Sequence, residues 1–190
     1  SGYDASIAAQ GQLLNGLDDD DTRRIALPFP FPFYNRTYTE IWVNSDGNLT
    51  FTEGDTATSE RSLGRMTSGP PRIAGLFRDL DPSNFRSQGV RVTAEAGRFA
   101  VSWVNVPVYS ESSFLAATQT FQILLFPNGR VEVAFDTVQA VTFLTGLSPG
   151  RLQGKTNLVD FSTNPSGEFS GTVAERFGSA EELDLATAAQ

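Results

Sequence analysis

Hydrophobic and polar residues alternate along most of the middle of the chain, and this period of two is typical of β-strands with one buried face. In RFAVSWV (98–104) and in RVEVAFD (130–136) every second residue is large and apolar. The pattern predicts an all-β fold, an antiparallel β-sandwich. The residues predicted to form its core are Phe31, Phe33, Ile41, Val43, Phe51, Ile73, Phe99, Val101, Trp103, Phe121, Ile123, Leu125, Val131, Val133 and Phe135.

Two tight turns and one proline-rich segment indicate which strands are neighbours and which strand lies at an edge. Asp46-Gly47 and Asn128-Gly129 each separate two apolar runs, and these dipeptides tolerate the positive φ of short hairpin turns. In IALPFPFPFY (25–34) proline alternates with phenylalanine. Because proline lacks the N–H that a central strand donates, this segment is predicted to be an edge strand.

The regular strand pattern occupies only part of the chain, which suggests three regions. Residues 1–21 are predicted to be an N-terminal arm, in which residues 4–16 permit a short helix ended by Gly16. Residues 22–171 are predicted to form the sandwich, with a polar surface loop or partly helical excursion at 53–70. The last region, 172–190, is acidic and rich in alanine and is predicted to be a tail or linker.

Composition excludes several classes of function. The 190 residues carry a formal net charge of −8, which does not fit the basic surface that nucleic acids require. The absence of Cys and His removes disulfides, thiolate chemistry and the commonest general base. No apolar run reaches the length of about 18 residues that a membrane helix needs, so membrane insertion is not expected.

Several blocks, taken in order, resemble the nidogen-like (NIDO-type) extracellular β domain of large secreted or surface proteins of bacteria. The chain departs from the family pattern at Asn35, where glycine is usual, and at residues 75–78. The resemblance implies an extracellular or cell-surface interaction or adhesion module without established catalytic residues. The blocks are LPFPFPFYNRTYTEIWVNSDGNLTF (27–51), GPPRIAGLFRDLDPS (69–83), RFAVSWVNVPVY (98–109), TFQILLFPNGRVEVAFD (120–136) and GLSPG (146–150).

Two acidic segments are candidate ligands for a hard cation, and calcium is the one cofactor that the sequence leaves open. Carboxylates placed together repel one another unless they are solvated or bind a cation. The alternatives are a solvated boundary before the first strand and, for the second segment, a turn whose Asp side chains accept backbone N–H bonds. The candidate metal ligands are Asp18, Asp19, Asp20, Asp21, Asp79 and Asp81.

Tyr109 and Phe114 flank the polar turn Ser110–Ser113 and are candidate ligand-binding residues. An exposed aromatic ring at this position would stack on a sugar or on a partner protein, whereas a buried ring would cover the end of the core. We therefore expect binding through this turn and through the loop at 53–69. The expected partners are an extracellular protein, a glycan or a neighbouring domain of the same polypeptide.

Catalysis is not expected. Ser148 stands in a G-x-S-x-G pattern, but such a nucleophile needs a histidine partner and the chain has no His. The sequence therefore predicts a non-catalytic interaction module that belongs to a larger secreted or cell-surface protein. The alternatives are a carbohydrate-binding accessory domain and a glycoside hydrolase that uses two carboxylates, Asp79 and Asp81 being the acidic candidates.

Overall fold

The computed structural model describes residues 2–110 and 113–178, which form two β-sheets packed face to face. This arrangement confirms the predicted all-β sandwich. The helices are α1 Ala5–Gln10 and α2 Leu63–Ser68, with short 3-10 turns at Ser113–Leu115 and Phe161–Thr163. The strands are β1 Gln12–Leu13, β2 Thr22–Phe33, β3 Arg36–Asn44, β4 Asn48–Thr50, β5 Arg72–Phe77, β6 Val90–Glu95, β7 Arg98–Pro107, β8 Thr118–Leu125, β9 Val131–Val138, β10 Phe143–Ser148, β11 Asn157–Leu158 and β12 Val173–Phe177.

The strands that the structure describes divide into a five-stranded sheet, in the order β1-β6-β7-β8-β9, and a seven-stranded sheet, in the order β11-β12-β10-β5-β4-β3-β2. All pairs are antiparallel except β11 with β12. Across the sandwich, β2 faces β6 and β7, while β5 faces β8. The strand orders of the two stacked sheets therefore run in the same direction across the sandwich. β9 lies on the side where the other sheet has β10 and β12.

The core between the sheets is built from the predicted alternating residues. Trp103 is completely buried and stacks on Phe121, with ring centroids 4.9 Å apart and planes 7° from parallel. The core prediction is wrong only on β9, where Val131 and Val133 are half-buried and Phe135 is 40% exposed. The reason is that β9 is an edge strand, with a neighbour on one side only.

Both predicted hairpin turns are present. Gly47 has φ of +72° between β3 and β4, and a Cβ there would lie 2.0 Å from the Leu76 carbonyl oxygen. Gly129 has φ of +87° between β8 and β9. The proline-rich strand β2 lies at the edge of the seven-stranded sheet as predicted, and its ladder with β3 shifts register between Ala26 and Phe31.

The N-terminal segment contains the predicted short helix, but it ends earlier than predicted and is followed by a strand of the five-stranded sheet. Helix α1 begins after Asp4, whose carboxylate accepts the N–H groups of Ser6 and Ile7, and it ends at Gly11 instead of Gly16. The chain turns at Gly11 because it meets β6, where a Cβ would lie 3.0 Å from the Cβ of Arg91. Residues 12–13 then pair with β6, so this segment is part of the sandwich.

The seven-stranded sheet extends beyond residue 171, the position at which the sequence pattern placed the end of the sandwich. Strand β12 pairs with β10, and its residues Val173 and Ala174 are buried. The short segment 172–178 is therefore part of the fold. Residues 179–190 of the predicted tail lie outside the described part of the chain.

Replacing Trp103 by alanine should lower the free energy of unfolding by about 3–5 kcal/mol, because it removes the largest fully buried side chain of the core. Chemical denaturation followed by circular dichroism measures the loss. Val141→Ala, at a side chain that is 82% exposed, is the control and should leave stability within about 0.5 kcal/mol of the parent. Equal stability of the Trp103 variant and the parent would contradict the described core.

Candidate functional site at one end of the sandwich

The acidic segments meet because of the order of the strands. Strands β2, β3, β4 and β5 are antiparallel neighbours in sequence, so the start of β2, the β3–β4 turn and the end of β5 lie at the same end of the sheet. Residues 18–21 precede β2, and residues 79–81 follow β5. Asp46 lies in the β3–β4 turn and is therefore at the same end of the sheet.

Three of the predicted metal ligands come together. Carboxylate oxygens of Asp19, Asp20 and Asp79 lie within 4.8 Å of one another. The guanidinium of Arg61 lies among them, and its Nη2 contacts Asp20 and, at 3.1 Å, Oδ1 of Asp79. Its Nε donates to Oδ2 of Asp46 at 2.7 Å. One positive charge is thus shared among several carboxylates. We call Arg61 together with Asp19, Asp20, Asp46 and Asp79 the Arg61 cluster.

The other three predicted ligands stabilise local backbone. Oδ1 of Asp18 accepts the N–H of Asp19 at 2.8 Å, and Oδ1 of Asp21 accepts the N–H of Thr22 at 2.8 Å. Oδ1 of Asp81 accepts both the N–H and the hydroxyl of Ser83. Their contacts are those of turn-capping residues.

The ionisation of the cluster is shifted from ordinary values. Burial, followed by the charges of Asp20 and Asp79, raises the pKa of Asp19 to about 7, and its Oδ1 is buried with no hydrogen-bond partner. Burial raises the pKa of Asp46 to about 6, although Arg61 and the N–H of Leu80 oppose the shift. Burial also raises the pKa of Asp79. These carboxylates therefore hold protons more tightly than exposed ones.

Sequence reasoning missed Arg61 and Asp46, which are almost completely buried. The position of Asp46 in a predicted hairpin was a usable signal, whereas nothing in the loop sequence indicated that Arg61 returns to the sheet. Arg61 supplies part of the positive charge that the calcium hypothesis assigned to a cation. Calcium binding stays a prediction.

The loop at 53–69 contains α2, in agreement with the predicted partly helical excursion, and it packs on the outer face of the seven-stranded sheet. This packing limits the part of the loop that is available to bind a partner. Asp55 forms ion pairs of 2.7 Å with Arg65 and with the fully buried Arg72. Leu63 and Met66 of α2 are completely buried. Only its stretch at 56–60 is continuously exposed.

An aromatic pair joins the loop between β5 and β6 to the loop between β7 and β8. Phe114 is 78% exposed and its ring packs on that of Phe85, with centroids 5.2 Å apart and planes 58° apart. Leu115 next to it is 88% exposed. Phe114 was predictable from the sequence but Phe85 was not, because a lone phenylalanine in a polar segment does not show which ring it will meet. We call Phe85, Phe114 and Leu115 the end patch.

The segments that carry the end patch are tied together and to the acidic segment. Arg86 donates from Nη1 to the carbonyl oxygen of Ala116 at 2.7 Å and to that of Phe114 at 3.3 Å. The N–H of Tyr109, a half-exposed residue, donates to the carbonyl oxygen of Asp79 at 2.9 Å. Glu111 and Ser112, in the predicted binding turn, lie outside the described residues.

A groove of about 390 Å³ separates the end of β1 from the loop that precedes β6. Its walls are residues 13–18 on one side and 82–85 and 87–90 on the other, so that Asp18 and Phe85 both line it. The groove continues the end patch towards the N-terminal segment, and its lining is both polar and apolar.

Fold and site together define an all-β sandwich module whose exposed aromatic and acidic side chains gather at one end. A family model described as NIDO related matches residues 2–176, and the chain belongs to this nidogen-related family. The match includes α1, β1 and most of β12, in agreement with their place in the sandwich. Membership indicates an extracellular-type module. No solved structure matches the chain. Among the described residues, no helix is both long and apolar enough to cross a membrane.

Replacing Asp19 by asparagine should stabilise the protein at pH 8. The pKa of Asp19 is raised from 3.8 to about 7, so the folded chain binds this proton more tightly than the unfolded chain, and stability falls as the pH rises between these values. The amide mimics the protonated acid, so we expect a melting temperature roughly 2–4 °C higher at pH 8, the shift that about 1 kcal/mol produces. At pH 5, where the folded chain holds this proton, the gain should be clearly smaller.

Glu60→Gln is the matched control, since it removes one charge at an exposed side chain. It should give no pH-dependent difference. A lower melting temperature of Asp19→Asn at pH 8, or the same difference at both pH values, would contradict the assigned ionisation. The same melts with calcium and with a chelator test the calcium hypothesis, because a bound cation raises stability by mass action.

Proposed function

We propose that this nidogen-related domain is a non-catalytic interaction module of a larger extracellular protein and that it binds a partner protein through the end patch. The observation that supports the proposal best is the exposed stack of Phe85 on Phe114. Large apolar side chains that cluster at the surface are typical of protein interaction sites. Aromatic residues of this kind contribute much of the binding energy when a partner removes them from water.

The end patch is supported before any partner arrives. Arg86 joins the two segments that carry the rings, and the Asp79–Tyr109 bond connects the second segment to the end of β5. A surface that is already ordered loses less conformational entropy on binding. Loops held by a rigid sandwich are also where binding residues of such folds are commonly found.

Charge indicates the chemistry of the partner. The chain has a net charge of −8, Asp18 lines the groove together with Phe85, and Asp81 is hydrogen-bonded to Ser83 of the same groove wall. A complementary surface carries an apolar centre flanked by lysine or arginine, which speeds association and disfavours acidic partners. Two kinds of partner can present such a surface: another extracellular protein and a neighbouring domain of the same polypeptide.

The two alternatives have weaker support. A glycan-binding platform usually presents a flat ring with polar groups around it, whereas Phe85 and Phe114 are inclined at 58° and adjoin the apolar Leu115. A carboxylate hydrolase needs two acids that face each other across a cleft. Asp79 contacts Arg61, and Asp81 accepts hydrogen bonds from Ser83.

A library of random peptides displayed on phage, selected on the immobilised domain, tests the proposal. We expect the selected peptides to combine aromatic with basic residues. Phe114→Ser should weaken their binding by at least about tenfold, which corresponds to about 1.4 kcal/mol. Leu152→Ser, at another side chain that is 68% exposed, should leave binding unchanged.

Selected peptides whose affinity is indifferent to both Phe85→Ser and Phe114→Ser would overturn the end patch as the binding site. Binding to a glycan array without peptide binding would favour the carbohydrate-binding alternative. Release of reducing ends from a polysaccharide would overturn the non-catalytic proposal.

A further inference from the structure

The described sheets have four edge strands, and three of them are poor templates for a further strand. β1 and β11 are two residues long, and β2 contains Pro28, Pro30 and Pro32. Short edges and prolines are the usual means by which proteins block edge pairing. The fourth edge, β9, is eight residues long, VEVAFDTV, and contains no proline. Its pairing with β8 is regular over residues 131–135 and shifts register at Asp136, which has no residue opposite it on β8. The regular part of β9 is therefore an edge able to accept a partner strand, and Asp136 lies at its end.

The hairpin turn determines which backbone groups of β9 point outward. The N–H of Phe126 donates to the carbonyl oxygen of Arg130 at 3.0 Å. Hydrogen-bonded pairs alternate along an antiparallel ladder, so the next such pair is Leu124 with Glu132. Val131 and Val133 consequently direct their N–H and C=O groups away from β8, towards the position of an added strand.

The opposite sheet extends past β9 and would support an added strand. The ring of Phe135 on β9 lies 6.4 Å from that of Phe143 on β10, which stacks at 4.6 Å on Phe177 of β12. The position beyond β9 is therefore opposite β12. Phe135 is 40% exposed and Phe177 is half-buried, so apolar side chains from a sixth strand would cover both.

The charges of β9 define the occupant. Glu132 and Asp136 are the charged residues of this strand, and both are acidic. Glu132 pairs at 3.1 Å with Arg130, outside the strand, while Asp136 is exposed. Two copies of a chain with a net charge of −8 repel each other, and a self-pairing centred on Ala134 would also bring Glu132 near Asp136 of its partner. A self-pairing centred on Val133 would bring Arg130 near Asp136 instead, so the second copy is an outcome that the experiment below distinguishes. Lysine or arginine opposite Glu132 and Asp136 would be favourable.

We propose that β9 accepts an extended segment of another protein as a sixth strand, in which apolar residues covering Phe135 and Phe177 alternate with lysine or arginine facing Glu132 and Asp136. This mode of recognition uses main-chain hydrogen bonds for affinity and alternate side chains for specificity. It goes beyond the proposed function, because the β9 edge is a surface separate from the end patch.

A capped peptide of alternating valine and lysine, as long as β9, is the probe, titrated into the full chain labelled with nitrogen-15. We expect the amide signals of residues 131–138 to shift, and a valine–glutamate peptide to bind at least about tenfold more weakly because of like-charge repulsion. Asp136→Lys should reverse this preference. Glu60→Lys, the same charge change elsewhere, should preserve it, as should Phe114→Ser.

Val133→Pro removes an N–H that points away from β8 and should abolish binding, with the thermal melt showing that the variant is folded. Three results would overturn the proposal: no shifts in β9 at saturating peptide, equal affinity for both peptides, or an unchanged preference in Asp136→Lys. Shifts of β9 that depend on protein concentration without peptide would identify a second copy as the occupant instead.

Discussion

The guanidinium of Arg61 is the constraint on which one end of this sandwich depends. It contacts carboxylates from three other segments: Asp20 before β2, Asp46 in the β3–β4 turn and Asp79 after β5. Asp46 in turn accepts the N–H of Leu80 at 3.1 Å. Segments that are distant in sequence are thereby held by one buried charge, whose removal would leave carboxylates without compensation in a poorly hydrated site.

The ordering of the end patch follows from this arrangement. Because Asp79 and Leu80 are held by the Arg61 cluster, the chain at 107–109 finds a fixed partner, with the N–H of Asp81 donating to Pro107 and that of Tyr109 donating to Asp79. Phe114 follows Tyr109 by five positions in the sequence. The same end thus combines a buried polar cluster that provides rigidity with exposed rings suited to binding.

Much of the fold could be predicted from the sequence, because the buried faces follow a period of two and both glycine turns carry their own signal. β9 shows the limit of that reasoning: its alternation is regular, but Phe135 is partly exposed because the pattern does not reveal which strand lies at an edge. α1 shows another limit, since its end at Gly11 is imposed by contact with β6. In the site, the acidic residues were evident from the sequence, whereas Arg61 and Phe85 depend on tertiary contacts between distant loops.

Unfolding of Arg61→Met measured at pH 8 and at pH 5 tests most directly whether one guanidinium holds this end together. The account predicts a loss of roughly 3–5 kcal/mol at pH 8, where the carboxylates are ionised and would lack their counter-charge. The loss relative to the parent should be clearly smaller at pH 5, since the raised pKa values of Asp19 and Asp46 allow protonation there. Stability equal to that of the parent at both pH values would contradict the account.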